Sequence, residues 1–131
     1  MATKPDARRR VEAGQCDAYD PSCPSRPLLD RLADKWVVLL LSALADGPLR
    51  YSDLARIVGG VSQKMLTQTL RVMERDGLVS RRVTPSVPVR VDYGLTPLGW
   101  TLMPLMYAVK EWSEVHVEEV EAARATYEAD L

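Results

Sequence analysis

The chain has 131 residues, 47% of them hydrophobic and 27% charged, and a formal net charge of −1. That mixture suits one ordinary globular domain and excludes both a disordered chain and a multidomain assembly. The longest strongly apolar run, Trp36 to Ala45, is about half a membrane span and is interrupted by Ser42, so no membrane partner is expected.

The opening decapeptide MATKPDARRR is basic with no apolar stretch behind it, so no secretory signal is readable and a cytoplasmic protein is expected. Residues 1–20 are polar, lack periodicity and read as a mobile arm ahead of a single domain over 21–125. At Cys23-Pro24-Ser25-Arg26 the pattern turns helical, with Leu28, Leu29 and Leu32 following a proline near the first turn. Asp34 suits the N-cap of a second helix that presents Trp36, Leu39, Leu40 and Ala43 on one face. Asp46-Gly47-Pro48 stops it, because Gly suits the left-handed stop and Pro cannot continue a helix. A short third helix is expected from Asp53 to Val58, opened by Tyr51 or Ser52 and broken by Gly59-Gly60.

Ser62 then caps a long fourth helix ending at Gly77, with Leu66, Leu70 and Met73 at i, i+4 and i+7 toward the core. Val79 to Thr84 and Val89 to Leu95 read as a hairpin whose tip, Pro85-Ser86-Val87-Pro88, is stiffened by its prolines. Thr96-Pro97 opens the last helix, about 97–125, in which Pro104 is expected to introduce a kink. Leu98, Leu102, Leu105, Val109, Trp112 and His116 recur along it at alternating spacings of four and three. Such a 3.5-residue seam is more than one small domain needs, which points to a homodimer interface. Packing across the second helix is the alternative.

Helices, a ribbon and a final helix in this order predict a mainly α protein with a small β-wing. The architecture expected is a winged helix-turn-helix domain with N- and C-terminal dimerisation helices. With its core face assigned, the fourth helix turns Gln63, Lys64, Thr67, Gln68 and Arg71 outward, donors and acceptors suited to base edges and phosphates. Ser62 and the backbone amides at the helix start could hold a phosphate. Any exposed helix face is polar, so this face alone decides nothing. The charge distribution adds weight: residues 50–92 carry a net +4, whereas residues 110–131 carry a net −5. Arg81, Arg82 and Arg90 flank the hairpin tip with no carboxylate between Val79 and Val91, placing a basic wing beside the helix. Double-stranded DNA carrying an inverted repeat is the expected partner.

These residues carry a resemblance. Cys23-Pro24, Asp34-Lys35-Trp36 and the stretch Leu44-Ala45-Asp46-Gly47-Pro48-Leu49-Arg50-Tyr51-Ser52-Asp53-Leu54 resemble the HxlR-type winged-helix transcriptional regulators. So do the stretches from Gly60 to Arg71, from Glu74 to Arg81 and from Val87 to Thr96, and the likeness covers Cys23 to about Trp112. The resemblance implies a homodimeric bacterial regulator, usually a repressor. It also implies DNA contacts from Ser62, Lys64, Thr67, Gln68 and Arg71 on the recognition helix and from Arg90 on the wing. Thr69 stands where many members carry a longer basic or amide side chain.

Two cysteines, Cys16 and Cys23, are present. Cys23 precedes Pro24 at a helix start, where backbone amides favour a thiolate, while Asp17 and Asp20 oppose it. In a cytosolic protein a structural disulfide is disfavoured, so the pair reads either as redox-active or as inert thiols in a mobile arm. Cys-x6-Cys is not a usual zinc spacing, so no metal and no cofactor is expected. The resemblance implies that Cys23 senses electrophiles or oxidants through an intersubunit or mixed disulfide; Cys16 is placed less firmly in the family pattern and could serve as a resolving thiol. A small-molecule inducer is the alternative within the same fold; Trp36, Tyr51, Tyr93 and Trp112 could line its pocket or simply form core. An enzyme is not expected, because there is no Cys-x-x-Cys, no glycine-rich phosphate loop, no Ser-His-Asp set and one histidine. A winged helix that binds protein is the rival of another class, and such a module needs no basic wing.

Overall fold

The computed structural model describes residues 16–131, which fall into two units divided after Asp34. In the first unit, hydrogen-bonded turns lead into helix α1, Ser25–Leu32. Asp17 Oδ1 accepts from the Tyr19 amide at 3.0 Å, and Asp20 Oδ1 accepts from the amide and hydroxyl of Ser22, both at 2.9 Å. The Ser22 amide holds the Asp20 carboxyl below its ordinary range. Of the arm expected over residues 1–20, residues 16–20 thus belong to this turn, and the rest lies outside the described residues. None of the α1 side chains is buried, and Leu29 is exposed.

The second unit, Lys35–Leu131, contains four helices and a three-stranded sheet. Helix α2 spans Lys35–Ala43 and tightens into a 3-10 turn, Leu44–Asp46. Its buried stripe is Val37, Leu40, Leu41 and Leu44, at i, i+3, i+4 and i+7. This corrects the expected face: Leu40 is common to both sets, but Trp36, Leu39 and Ala43 are half-buried. The run Trp-Val-Val-Leu-Leu-Leu is apolar on every side, so periodicity could not choose a stripe there. Ser42, buried on the same helix, is satisfied by donating to the Val38 carbonyl at 2.7 Å.

After Gly47, strand β1 (Leu49–Arg50) leads directly into α3 (Tyr51–Ile57), whose Leu54 is fully buried. Gly60, with φ of 84°, makes the left-handed turn into α4, Gln63–Arg75. Ser62 caps α4 as expected, its Oγ accepting from the Met65 amide at 3.1 Å. Leu66, Leu70 and Met73 are each 1% exposed, and Thr69 joins them, its hydroxyl bonded to the Met65 carbonyl. Burial of each such apolar side chain contributes about 1.5–3 kcal/mol. Replacing Ser62 with Ala should lower stability by about 1 kcal/mol. A calorimetric melting temperature about 3–6 °C lower would register that loss.

Strands β2 (Val79–Thr84) and β3 (Arg90–Leu95) form the expected hairpin, antiparallel, with Val79 opposite Leu95 and Thr84 opposite Arg90. Strand β1, not anticipated from the sequence, adds to the other edge of β3, giving the order β1-β3-β2. Two residues carry too little periodicity to be read as a strand. Helix α5, Pro97–Ala129, packs on α2 and continues unbroken through Pro104, past the expected end. Its N-cap is Thr96, which accepts from the Gly99 amide at 3.0 Å and donates to the Gly77 carbonyl at 2.6 Å. One hydroxyl therefore ties the turn after α4 to the start of α5.

Candidate nucleic-acid interface

The expected outward residues of α4 do lie on one surface. Gln63, Lys64, Thr67, Gln68 and Arg71 line a single shallow concavity. All are exposed except Thr67, which is half-buried because its hydroxyl lies 3.1 Å from that of Tyr51. The Tyr51 hydroxyl also donates to the Gln63 carbonyl at 3.1 Å, so α3 holds the first turn of α4. That buttress was not legible in the sequence, where Tyr51 reads only as a helix opener or a pocket residue.

The wing differs in detail from the expected cluster. Strand side chains alternate between faces, and directly opposed residues share one face. Arg81 lies opposite Tyr93, which lies opposite Leu49, whereas Arg82 lies opposite Asp92, which lies opposite Arg50. Arg90 is two residues from Asp92 and shares its face. The three wing arginines are therefore split, Arg81 on one face and Arg82 with Arg90 on the other. Arg81 Nε approaches Glu74 Oε2 of α4 at 3.6 Å, a half-exposed pair that links the hairpin to α4. Pairs of this kind contribute about 0–1 kcal/mol, so the link orients more than it stabilises. On the same face Tyr93 is half-buried, and desolvation pushes its hydroxyl above the ordinary tyrosine range.

On the opposite face Arg90 Nε donates to Asp92 at 3.0 Å to Oδ2 and 3.3 Å to Oδ1. Arg82 makes no ion pair among the described residues. The tip from Ser86 to Val91 borders a second concavity, closed on its other side by Arg50, Tyr51 and Ser52. Glu74 and Asp92 flank the acid-free interval in sequence but reach back to it in space. No linear reading of the hairpin would have supplied these partners.

The expected seam on α5 is largely uncovered. Leu105 is 62% exposed and Trp112 is 57% exposed, Leu98 and Val109 are exposed too, and Leu102 and His116 are half-buried. Trp112 stacks on His116 with centroids 4.6 Å apart. In the first unit Cys16 and Cys23 are joined by a disulfide, Cys23 being 4% exposed with Sγ 2.9 Å from Ser25 Oγ. Two exposed thiols were expected, with an intersubunit or mixed disulfide at Cys23; instead Cys23 is buried and bonded to Cys16, the candidate resolving thiol, within one chain. The turn built on Asp17 and Asp20 brings the two residues to a Cα separation of 5.7 Å, within bonding range.

A capped helix with a polar outer face, buttressed from α3 and flanked by a basic ribbon, is the architecture of winged helix-turn-helix transcriptional regulators. Residues 31–121 match the HxlR-like helix-turn-helix family, and the chain belongs to it. It is 46% identical over 106 residues to YtfH of Escherichia coli K12, an HTH-type transcriptional regulator, covering 81% of this chain and 84% of the relative. A YtfH chain from Salmonella typhimurium, described as a transcriptional regulator, superposes with a TM-score of 0.77 at 43% identity, covering 83% of this chain and 97% of that one. The redox regulator HypR in its oxidized form superposes with a TM-score of 0.65 at 41% identity, covering 71% and 96%. The protein is a DNA-binding transcriptional regulator, and no helix among the described residues is long and apolar enough to cross a membrane.

Proposed function

We propose that the protein is a homodimeric, sequence-specific repressor acting in the cytoplasm and switched by the redox state of Cys16 and Cys23. The carrying observation is the single exposed surface formed by Gln63, Lys64, Thr67, Gln68 and Arg71 of α4 beside the basic wing. In this reading those residues and Ser62 meet the major groove, while Arg82 and Arg90 reach phosphates or the adjacent minor groove. Arg81, paired with Glu74, contributes charge from the face nearer the helix. Leu98, Leu102, Leu105, Val109, Trp112 and His116 form the dimer seam, setting two recognition helices about one DNA turn apart.

The disulfide between Cys16 and Cys23, together with the likeness to a redox regulator, supports the thiol switch. Its chemistry balances simply. Two thiols lose two protons and two electrons as the S–S bond forms, and an oxidant such as diamide takes them up to become the hydrazine. The test is binding of the reduced protein to DNA from upstream of its own gene, before and after diamide. Oxidation should weaken binding at least about tenfold, dithiothreitol should restore it, and Cys23→Ser should abolish the response. Tight binding that ignores the oxidant would leave a regulator governed by a small-molecule inducer. Absence of binding to any duplex would favour a protein-binding winged helix.

A further inference from the structure

The outer face of the sheet concentrates three arginines around one carboxylate. Asp92 stands on the central strand, with Arg82 opposite it on β2 and Arg50 opposite it on β1. Its side chain is only 16% exposed, which is low for an aspartate on a ribbon beside solvent. It engages Arg90 through Nε, and neither terminal nitrogen of that guanidinium has a protein hydrogen bond among the described residues. A carboxylate held on Nε fixes the plane of the guanidinium while its far edge stays available to a second acceptor.

We propose that Asp92 is a positioning residue for DNA recognition, holding Arg90 at the wing and trimming the positive charge of Arg50 and Arg82 beside it. This rests on the reading that Arg90 meets DNA. Two effects then act in opposite directions. Asp92 removes one unit of charge from a face turned toward a polyanion, which weakens attraction to any duplex. It also spares Arg90 the loss of rotamer freedom on binding, which strengthens a complex whose geometry fits the wing. An acid at this place therefore trades general affinity for discrimination between sequences.

The test compares wild type, Asp92→Asn, Arg90→Gln and the double variant in the full-length reduced protein. Two probes serve: a duplex selected from a random library by the wild-type protein, and a random-sequence duplex of equal length. Asp92→Asn should bind the random duplex about threefold more tightly, with a log–log salt slope steeper by about one. It should bind the selected duplex roughly tenfold more weakly. In the Arg90→Gln background the loss on the selected duplex should vanish, and Asp92→Glu should recover most of the wild-type preference, which sets a folding defect apart. If Asp92→Asn moves both probes in the same direction, or its loss persists without Arg90, the positioning role is wrong. If Arg90→Gln binds both duplexes as wild type does, the reading of the wing itself fails first.

Discussion

Gly99→Ala is expected to unfold or severely loosen the protein, with a melting temperature at least about 10 °C lower. Gly99 is buried in the first turn of α5, and a Cβ there would overlap the carbonyl oxygen of Leu78. The obstacle is backbone and not the end of a flexible side chain, so rotamer change cannot relieve it. Moving it would also break the hydrogen bond from the Thr96 amide to that same carbonyl, 3.1 Å long. Overpacking typically costs about 1–3 kcal/mol even where side chains can yield. Here the loss should reach or exceed the top of that range, which for a chain this size is a shift of about 10–15 °C. Helix propensity acts the other way, since Ala outranks Gly by about 1 kcal/mol in a helix interior. A variant melting at or above wild type would show that propensity prevails and that α5 and Leu78 are not in close contact.

On the proposed α5 dimer seam, Leu105→Asp should yield a monomer while leaving the fold intact. The side chain is 62% exposed on α5, so the change removes almost nothing from the core of one chain. It nevertheless sits mid-seam, where a partner helix would bury it and where an unpaired carboxylate is strongly disfavoured. Sedimentation should show a single species at the chain mass, with a melting curve that no longer depends on concentration. Operator affinity should fall by at least about a hundredfold, because one recognition helix then binds a half-site without its linked second. A dimer that survives Leu105→Asp with unchanged DNA binding would remove α5 as the interface.

Features set by local interactions were legible in the sequence, and those set by distant contacts were not. Ser62 and Thr96 were legible as caps because a cap is a relation among residues three or fewer apart. Leu66, Leu70 and Met73 were legible as core because charged and amide residues separate them on the helix. The stripe of α2 was misread because its sequence is apolar all round, so only contact with the rest of the unit selects Val37 and Leu41. The wing arginines were grouped by proximity in sequence, yet strand alternation sends Arg81 to Glu74 and Arg90 to Asp92 on opposite faces. For Cys23 an intersubunit or mixed disulfide was expected, with Cys16 only a candidate resolving thiol, and the intervening turn joins the two, seven residues apart, within one chain.

Taken by itself, the sequence determined the order of the helices and the hairpin, the polar outer face of α4, the basic ribbon and the long apolar seam. Each depends on periodicity or punctuation within one segment, which backbone geometry converts directly into a face or a stop. Tertiary structure alone decided the third strand, the Tyr51 buttress beneath the first turn of α4, the joint of Thr96 and Gly99 against Gly77 and Leu78, and the ring of arginines about Asp92. These are contacts between residues distant in sequence or on separate strands. No single segment encodes them, because their energies arise only when the segments pack and cross-strand register brings side chains together.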